Sequence, residues 1–283
     1  MSRRLDLDNH HHSLNEIIKI LDAMKMLAYM ETHKLGAFLD TQHQALDAIS
    51  SAANDFLSFY PGVQLKESEV FPVYLLIGSE RGFCGDFNQE LVDYIEQLLT
   101  IPSNLKPTLI TVGRKLYNLM QDDGHVYAQI EGPNVVEEVP NVLEQTVQVL
   151  TKIQREQPLM GLYSVYHSGE QGIITKKLLP PFQQKDQQPA NFQYPPELNL
   201  PPADFLLKVA EQFLFTALHE IVYTSLLEEN HNRIMHLEGA VKHLETKADE
   251  LTQQCHILRR EEITEEIEVI LLNASSFDDL PTG

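Results

Sequence analysis

The stretch VYLLIGSERGFCGDFNQELVDYI, residues 73–95, runs from aliphatic and β-branched residues through three glycines into a helix-like pattern. A strand that feeds a helix through a Gly-rich turn opens an α/β domain, and it is also the place where a phosphate-binding loop would sit. Gly78, Gly82 and Gly85 are spaced G-x-x-x-G-x-x-G. That spacing is neither the dinucleotide fingerprint nor the loop whose lysine and hydroxyl reach phosphates and magnesium. The residues therefore favour glycines that shape a tight turn, with nucleotide binding as the competing reading.

Outward from this stretch, residues 68–182 alternate short apolar runs with helical patterns. TLITVG (108–113), HVYAQI (125–130) and LMGLYSVYH (159–167) read as further strands. Helices are expected near Asn88–Leu99, from Arg114, and near Asn141–Arg155. Alternation of this length predicts a small Rossmann-like α/β domain with a largely parallel sheet. IITKKLL (173–179) adds a hairpin strand, and residues 183–203, rich in Gln and Pro, read as an extended connector.

Each end of the chain is written in a different period. From Leu14 to Phe59 there is no proline, and apolar residues fall at Leu14, Ile17, Leu21, Met24, Ala28, Leu35, Phe38, Ala45, Ile49, Ala52, Phe56 and Phe59, with only Glu31 and Gln42 polar in the series. Steps of three and four describe a coiled-coil seam, closed by Tyr60-Pro61-Gly62. Ile234, Leu237, Val241, Leu244, Ala248, Leu251, Cys255 and Leu258 form a second seam, in a helix expected to start at an Asp204 N-cap. The expected divisions are thus 1–62, 68–182, 183–203 and 204–283: a long antiparallel coiled coil of terminal helices flanking an α/β domain. At 1.5 Å per residue the helices would reach about 69 and about 100 Å, so they should project, and the second should outrun the first by roughly 35 Å.

Composition narrows the partners. A formal charge of −20 over 283 residues argues against nucleic acid, and no run of residues is long and apolar enough to enter a bilayer directly. Cys84 and Cys255 stand far apart without metal spacing, which fits two free thiols in a reducing compartment. His10-His11-His12 reads as a flexible terminus rather than a metal site. His231 and His236 are five apart, wrong for an i,i+4 clamp, and the acidic run Glu261, Glu262, Glu265, Glu266, Glu268 reads as a solvated helix face. No G-x-S-x-G, H-E-x-x-H or C-x-x-C occurs, so no catalytic, cofactor-binding or metal residues are assigned.

Several of these residues are familiar together. GSERGFCGDFN closely resembles the S-D-R-G-L-C-G-G-x-N segment of the gamma subunit of F-type rotary ATP synthases, with Arg81, Gly82, Cys84, Gly85 and Asn88 on matching positions. AMKMLA (23–28) is similar to that family's A-M-K-M-V-A, and TVGRKL (111–116) to its I-V-G-[RK]-K step. Glu229, Arg233 and Met235 fit E-x-x-x-R-M, and LRREEITEEIEVIL (258–271) resembles its terminus. The resemblance spans essentially the whole chain. It implies a non-catalytic central shaft without cofactors, with Gly82 and Gly85 as turn residues. Its coiled coil would sit inside a ring of alpha and beta subunits, its α/β domain would rest with the epsilon subunit on the membrane rotor ring, and rotation would couple ion flow to ATP synthesis or hydrolysis. It further implies Met24, Arg259, Arg260, Thr264 and Glu266 as contacts to the beta subunits, and a peripheral place on the cytoplasmic face of the cell membrane.

The departures are chemical. The family's helices are rich in Lys and Arg, whereas residues 1–34 hold five basic against five acidic groups. Asp86 replaces a glycine, and Arg259-Arg260 stand where the family has Arg-Gln. These features point to a divergent branch of the rotary machine, or to an adaptor that kept the fold without rotary function.

Overall fold

The computed structural model describes residues 2–63, 70–100, 106–182 and 194–278. Two compact units are present: one takes in Met1–Leu27 with Met235–Gly283, the other Ala28–Ile234. Helix α1 (Ser2–Phe59) and helix α5 (Pro202–Asp278) each contribute to both.

The larger unit is built on a five-stranded sheet: β1 (Phe71–Ile77), β2 (Thr108–Val112), β3 (Val126–Ile130), β4 (Met160–Ser168) and β5 (Gly172–Leu179), in the spatial order β3-β2-β1-β4-β5. The first four strands are parallel, with Val73 level with Thr108 and Leu162, and β5 returns antiparallel along β4. This is the expected α/β plan, hairpin strand included. Helices α2 (Phe87–Leu99), α3 (Arg114–Met120) and α4 (Val139–Glu156) supply the crossovers. β1 is buried at three successive residues, Leu75, Leu76 and Ile77, as strands covered on both faces are.

Two cores result. On one face Leu76, Leu109 and Val165 pack with Phe87, Leu91, Ile95, Leu116 and Met120 of α2 and α3. On the other, Val73, Leu75, Ile110 and Leu162 pack with α4, with Leu35, Leu39 and Leu46 of α1, and with Ala217, Leu218, Ile221 and Val222 of α5. Each fully buried Leu or Ile there contributes about 1.5–3 kcal/mol. These stretches of α1 and α5 do not project: they are a layer of the α/β unit. The two helices run antiparallel within it, since Phe38 meets Tyr223, His43 meets Glu220, and Phe56 meets Phe205 at 4.7 Å between ring centres.

This sharing of α1 shifts its apolar register. Leu21, Ala28, Leu35 and Phe56 are buried as expected. Ile17 and Phe38, at 44% and 46% exposure, are not, and Ala52 is exposed too. Leu39, Leu46 and Ala53, one residue further along than Phe38, Ala45 and Ala52, are buried in their place. A helix that must satisfy the sheet as well as a partner helix buries a broader face than a strict seam.

In the smaller unit Leu21, Leu237 and Val241 form a buried cluster, with Ile18, Met24, Ala240 and Leu244 packed against it. The α5 seam from Leu237 to Leu258 faces inward at every expected position. The run His10-His11-His12 is helical rather than loose, because α5 gives it a surface to pack on. His11 Nε2 lies 3.2 Å from Thr252 Oγ1. α1 therefore begins well before Leu14, and α5 begins at Pro202 with Asp204 in its first turn. The overshoot shrinks accordingly: helices of 58 and 77 residues differ by about 29 Å. The connector expected at 183–203 lies outside the described residues from 183 to 193.

Candidate functional site

The Gly-rich loop, residues 78–86, leaves the carboxyl end of β1, between β2 and β4. The chain winds to one side of β1 through β2 and β3, then crosses back through α4 to β4 on the other side, so this is the topological switch point of the sheet. In an open α/β fold that crevice is where a ligand binds. Here α5 occupies it. Ser225 Oγ donates to the Ile77 carbonyl at 3.2 Å, and about one and two turns on, Glu229 and Arg233 are buried against the loop.

Their chemistry replaces that of a bound phosphate. The Glu229 carboxylate is buried against the loop, where the backbone N–H groups of Arg81 and Glu80 favour its charged form, so it stands where an anion would stand among the loop amides. Arg233 pairs with Glu229, donates from Nη1 to Asn230 Oδ1 at 2.8 Å, from Nε to the Gly82 carbonyl at 3.3 Å, and from Nη2 to Cys84 Sγ at 3.6 Å. Burial pushes the Glu229 carboxyl up, opposed by Arg233 and the two loop amides. Burial likewise pushes the Cys84 thiol up to about 11, helped by the Glu229 charge, and the thiol donates to the Gly82 carbonyl at 3.4 Å. A thiol held protonated in this way is a packing group, not a nucleophile.

The loop is fixed from its other side too. Asn88 Oδ1 accepts from the Ser79 N–H at 2.9 Å and its amide donates to Ser79 Oγ at 2.8 Å. Glu80 Oε2 accepts the N–H groups of Arg114, at the start of α3, and of Gly132, each at 2.9 Å. Of the glycines, Gly85 takes φ +58°, but at Gly82 the left-handed conformation falls instead on its neighbour Phe83, φ +63°. Gly78 is required for space: a Cβ there would stand 2.4 Å from Leu116 Cβ. At the end of β4, His167 Nε2 donates to the Phe87 carbonyl at 2.8 Å while its ring stacks on Phe87 at 3.9 Å, and burial pushes its pKa down.

The residues expected to touch a partner are not gathered at this loop. Arg259, Arg260, Thr264 and Glu266 lie along one stretch of α5 in the smaller unit and are exposed. Thr264 Oγ1 donates to the Arg260 carbonyl at 2.9 Å. Arg259 lines an open groove with Asp8, His11, Thr252, Cys255 and His256, and Glu266 lines another with Glu262, Glu265, Val269 and Ile270. Met24 is half-buried against the Leu21–Leu237–Val241 cluster. With His11 level with Thr252, no stretch of α1 among the described residues lies opposite α5 beyond about residue 261. Ile263, Ile267 and Ile270 are exposed there.

A second set of contacts joins residues that no spacing in the sequence links. Arg81 Nε donates to Asn134 Oδ1 at 2.8 Å, in the loop between β3 and α4. In that loop the Val136 N–H donates to Glu31 Oε2 at 3.2 Å, and Lys34 bridges Glu31 and Glu137 at 2.9 and 3.2 Å. The available signal was the polar interruption of the α1 seam at Glu31. Among the described residues no group of three His, Cys, Asp or Glu is placed to hold a metal ion, and no helix is long and apolar enough to cross a membrane.

Comparison with known proteins agrees with this architecture over nearly its whole length. The chain is 24% identical over 275 residues to the ATP synthase gamma chain of Clostridium novyi, covering 93% of this chain and 94% of that one. It is also 24% identical to the gamma chain of Clostridium kluyveri over 283 residues, with the same coverage. Among solved structures it matches a chain of the Euglena gracilis mitochondrial ATP synthase described as OSCP/F1/c-ring, with TM-score 0.63, 14% identity, and coverage of 99% of this chain and 97% of that one. A central stalk/c-ring chain of the Tetrahymena thermophila mitochondrial enzyme gives TM-score 0.56 at 16% identity, covering 78% and 99%. A family model described as ATP synthase matches residues 5–277. The chain therefore belongs to the ATP synthase family that this model describes, and the relatives it resembles there are gamma chains.

Proposed function

We propose that this chain is the central rotor shaft of a rotary ATP synthase or ATPase, coupling ion flow to ATP synthesis or hydrolysis carried out on the beta subunits. It is itself non-catalytic. The observation that carries the reading is the antiparallel pairing of α1 with α5 in the smaller unit, with α5 running on past the described residues of α1 and exposing Arg260, Thr264, Ile263 and Ile267. A helix end left with an apolar stripe needs a wall to bury it, and a ring of alpha and beta subunits is such a wall. Arg259 and Arg260 offer rigid forks of donors suited to carboxylate-bearing loops as successive partners pass. The α/β unit would rest with the epsilon subunit on the membrane rotor ring, peripheral to the cytoplasmic face of the membrane. The charge of −20 favours a head whose inner wall is less acidic, since charge complementarity selects partners more than it adds affinity.

The same charge favours the second reading, a coiled-coil adaptor that kept this fold without rotary partners. One experiment separates the two. The chain is co-expressed with the alpha and beta subunits of its own organism, and ATP hydrolysis is measured before and after an engineered disulfide joins α5 to a beta subunit. A rotor gives hydrolysis that stops on locking and returns on reduction. Absence of a complex, or a locked complex as fast as the free one, leaves the adaptor.

A further inference from the structure

Within the α/β unit both long helices are gripped at the same level. Phe38 faces Tyr223 and His43 faces Glu220, so an antiparallel pairing puts Glu31 level with the turn that carries Glu229 and Arg233. α5 is held there by the β1–α2 loop, through Arg233 to the Gly82 carbonyl and to Cys84 Sγ, with Arg233 itself fixed by the buried Glu229. α1 is held by the β3–α4 loop, through Glu31 to the Val136 N–H. The two loops are tied to each other by Arg81 and Asn134. A few residues further on, at Leu27 and at Met235, both helices pass out of this unit.

We infer that this ring of contacts is a torque clamp: it is where rotation of the helix pair is passed to the α/β unit, with Arg81 and Asn134 closing the ring between the two gripping loops. The inference rests on the rotor reading above. Apolar packing along a helix resists separation but is non-directional, so side chains can slide and twist past one another at modest cost. Hydrogen bonds have preferred angles and weaken steeply when misaligned. A run of them from one helix through both loops to the other, anchored on the buried Glu229–Arg233 pair, resists twisting where a greasy face alone would not. Arg81 is a positioning residue in this scheme, and its exposure means that it can be changed without opening the core.

The test uses the complete complex in inverted membrane vesicles, with ATP hydrolysis and ATP-driven ion uptake measured on the same preparation. Arg81→Gln and Asn134→Ala each open the ring. Glu31→Ala releases α1, whereas Glu31→Gln keeps an oxygen for the Val136 N–H. For Arg81→Gln, Asn134→Ala and Glu31→Ala the expected result is hydrolysis close to that of the parent with ion uptake per ATP reduced by at least half, and recovery in Glu31→Gln. A role in folding alone would lower both rates in proportion to the amount of assembled complex, and that result overturns the clamp. So does uptake per ATP that stays at the parent value in all four variants. If the parent chain forms no complex, the rotor reading fails and the clamp with it; assembly with unaltered coupling overturns the clamp alone.

Discussion

Arg233 Nε donates to the carbonyl of Gly82 across 151 residues of chain, and the same guanidinium pairs with the buried carboxylate of Glu229. Removing one partner of a buried pair leaves an uncompensated charge, at a cost of about 3–5 kcal/mol. Arg233→Met is expected to lower the denaturation midpoint of the α/β unit accordingly, followed by circular dichroism because the chain contains no Trp. Glu229→Gln added to Arg233→Met should recover much of the loss, since a neutral carboxamide oxygen still faces the loop amides. A double variant as unstable as the single one would mean that the charge is not what matters.

The two cysteines should differ in reactivity. Cys84 is buried and its thiol is pushed up to about 11 by burial, whereas Cys255 is half-exposed. Alkylation of the native protein at pH 8 is expected at Cys255 first, with Cys84 reacting only after denaturant is added, as read by peptide mass. The linkage has a definite sign. An unfolded Cys84 loses its proton from about 9.0, so its contribution to stability is complete below that pH. The contribution is lost as pH rises towards about 11. Cys84→Ala should flatten the stability profile in that window.

Leu237 is fully buried in the cluster with Leu21 and Val241. Leu237→Asp places an unpaired charge there, which costs several kcal/mol. Amide hydrogen exchange should then accelerate in Ile18–Met24 and around Ala240–Leu244 while β1, β2 and β4 stay protected. Equal acceleration everywhere would show that the smaller unit has no stability of its own.

No nucleotide should bind at the Gly-rich loop, because the buried Glu229 carboxylate stands against the loop amides that a phosphate would need. Calorimetric titration of the chain with ATP and with NAD is expected to give no heat above dilution. Micromolar binding whose chemical shift changes centre on residues 78–85 would reverse this.

Much of this protein is written locally. The strands around Leu75, Ile110 and Leu162 follow from short continuous apolar runs, and their crossover helices and the α5 seam from Leu237 to Leu258 from period-3.6 and period-3.5 patterns, because each is set by residues no more than four apart. The motif near Gly82 and the pattern Glu229, Arg233, Met235 were also visible. That they are one structure was not, since nothing in a sequence says which carbonyl a guanidinium 151 residues away will take. Tertiary packing decided three things. It set the register of α1, where Leu39 and Leu46 rather than Phe38 and Ala45 turn inward because the sheet competes with α5 for that helix. It made the run at His10 helical, by supplying a surface against it. It also filled the crevice at the switch point with α5, so that a loop with the position of a phosphate cradle holds the protein's own Glu229. Local pattern fixes which face of an element seeks burial; only the fold decides what arrives to bury it.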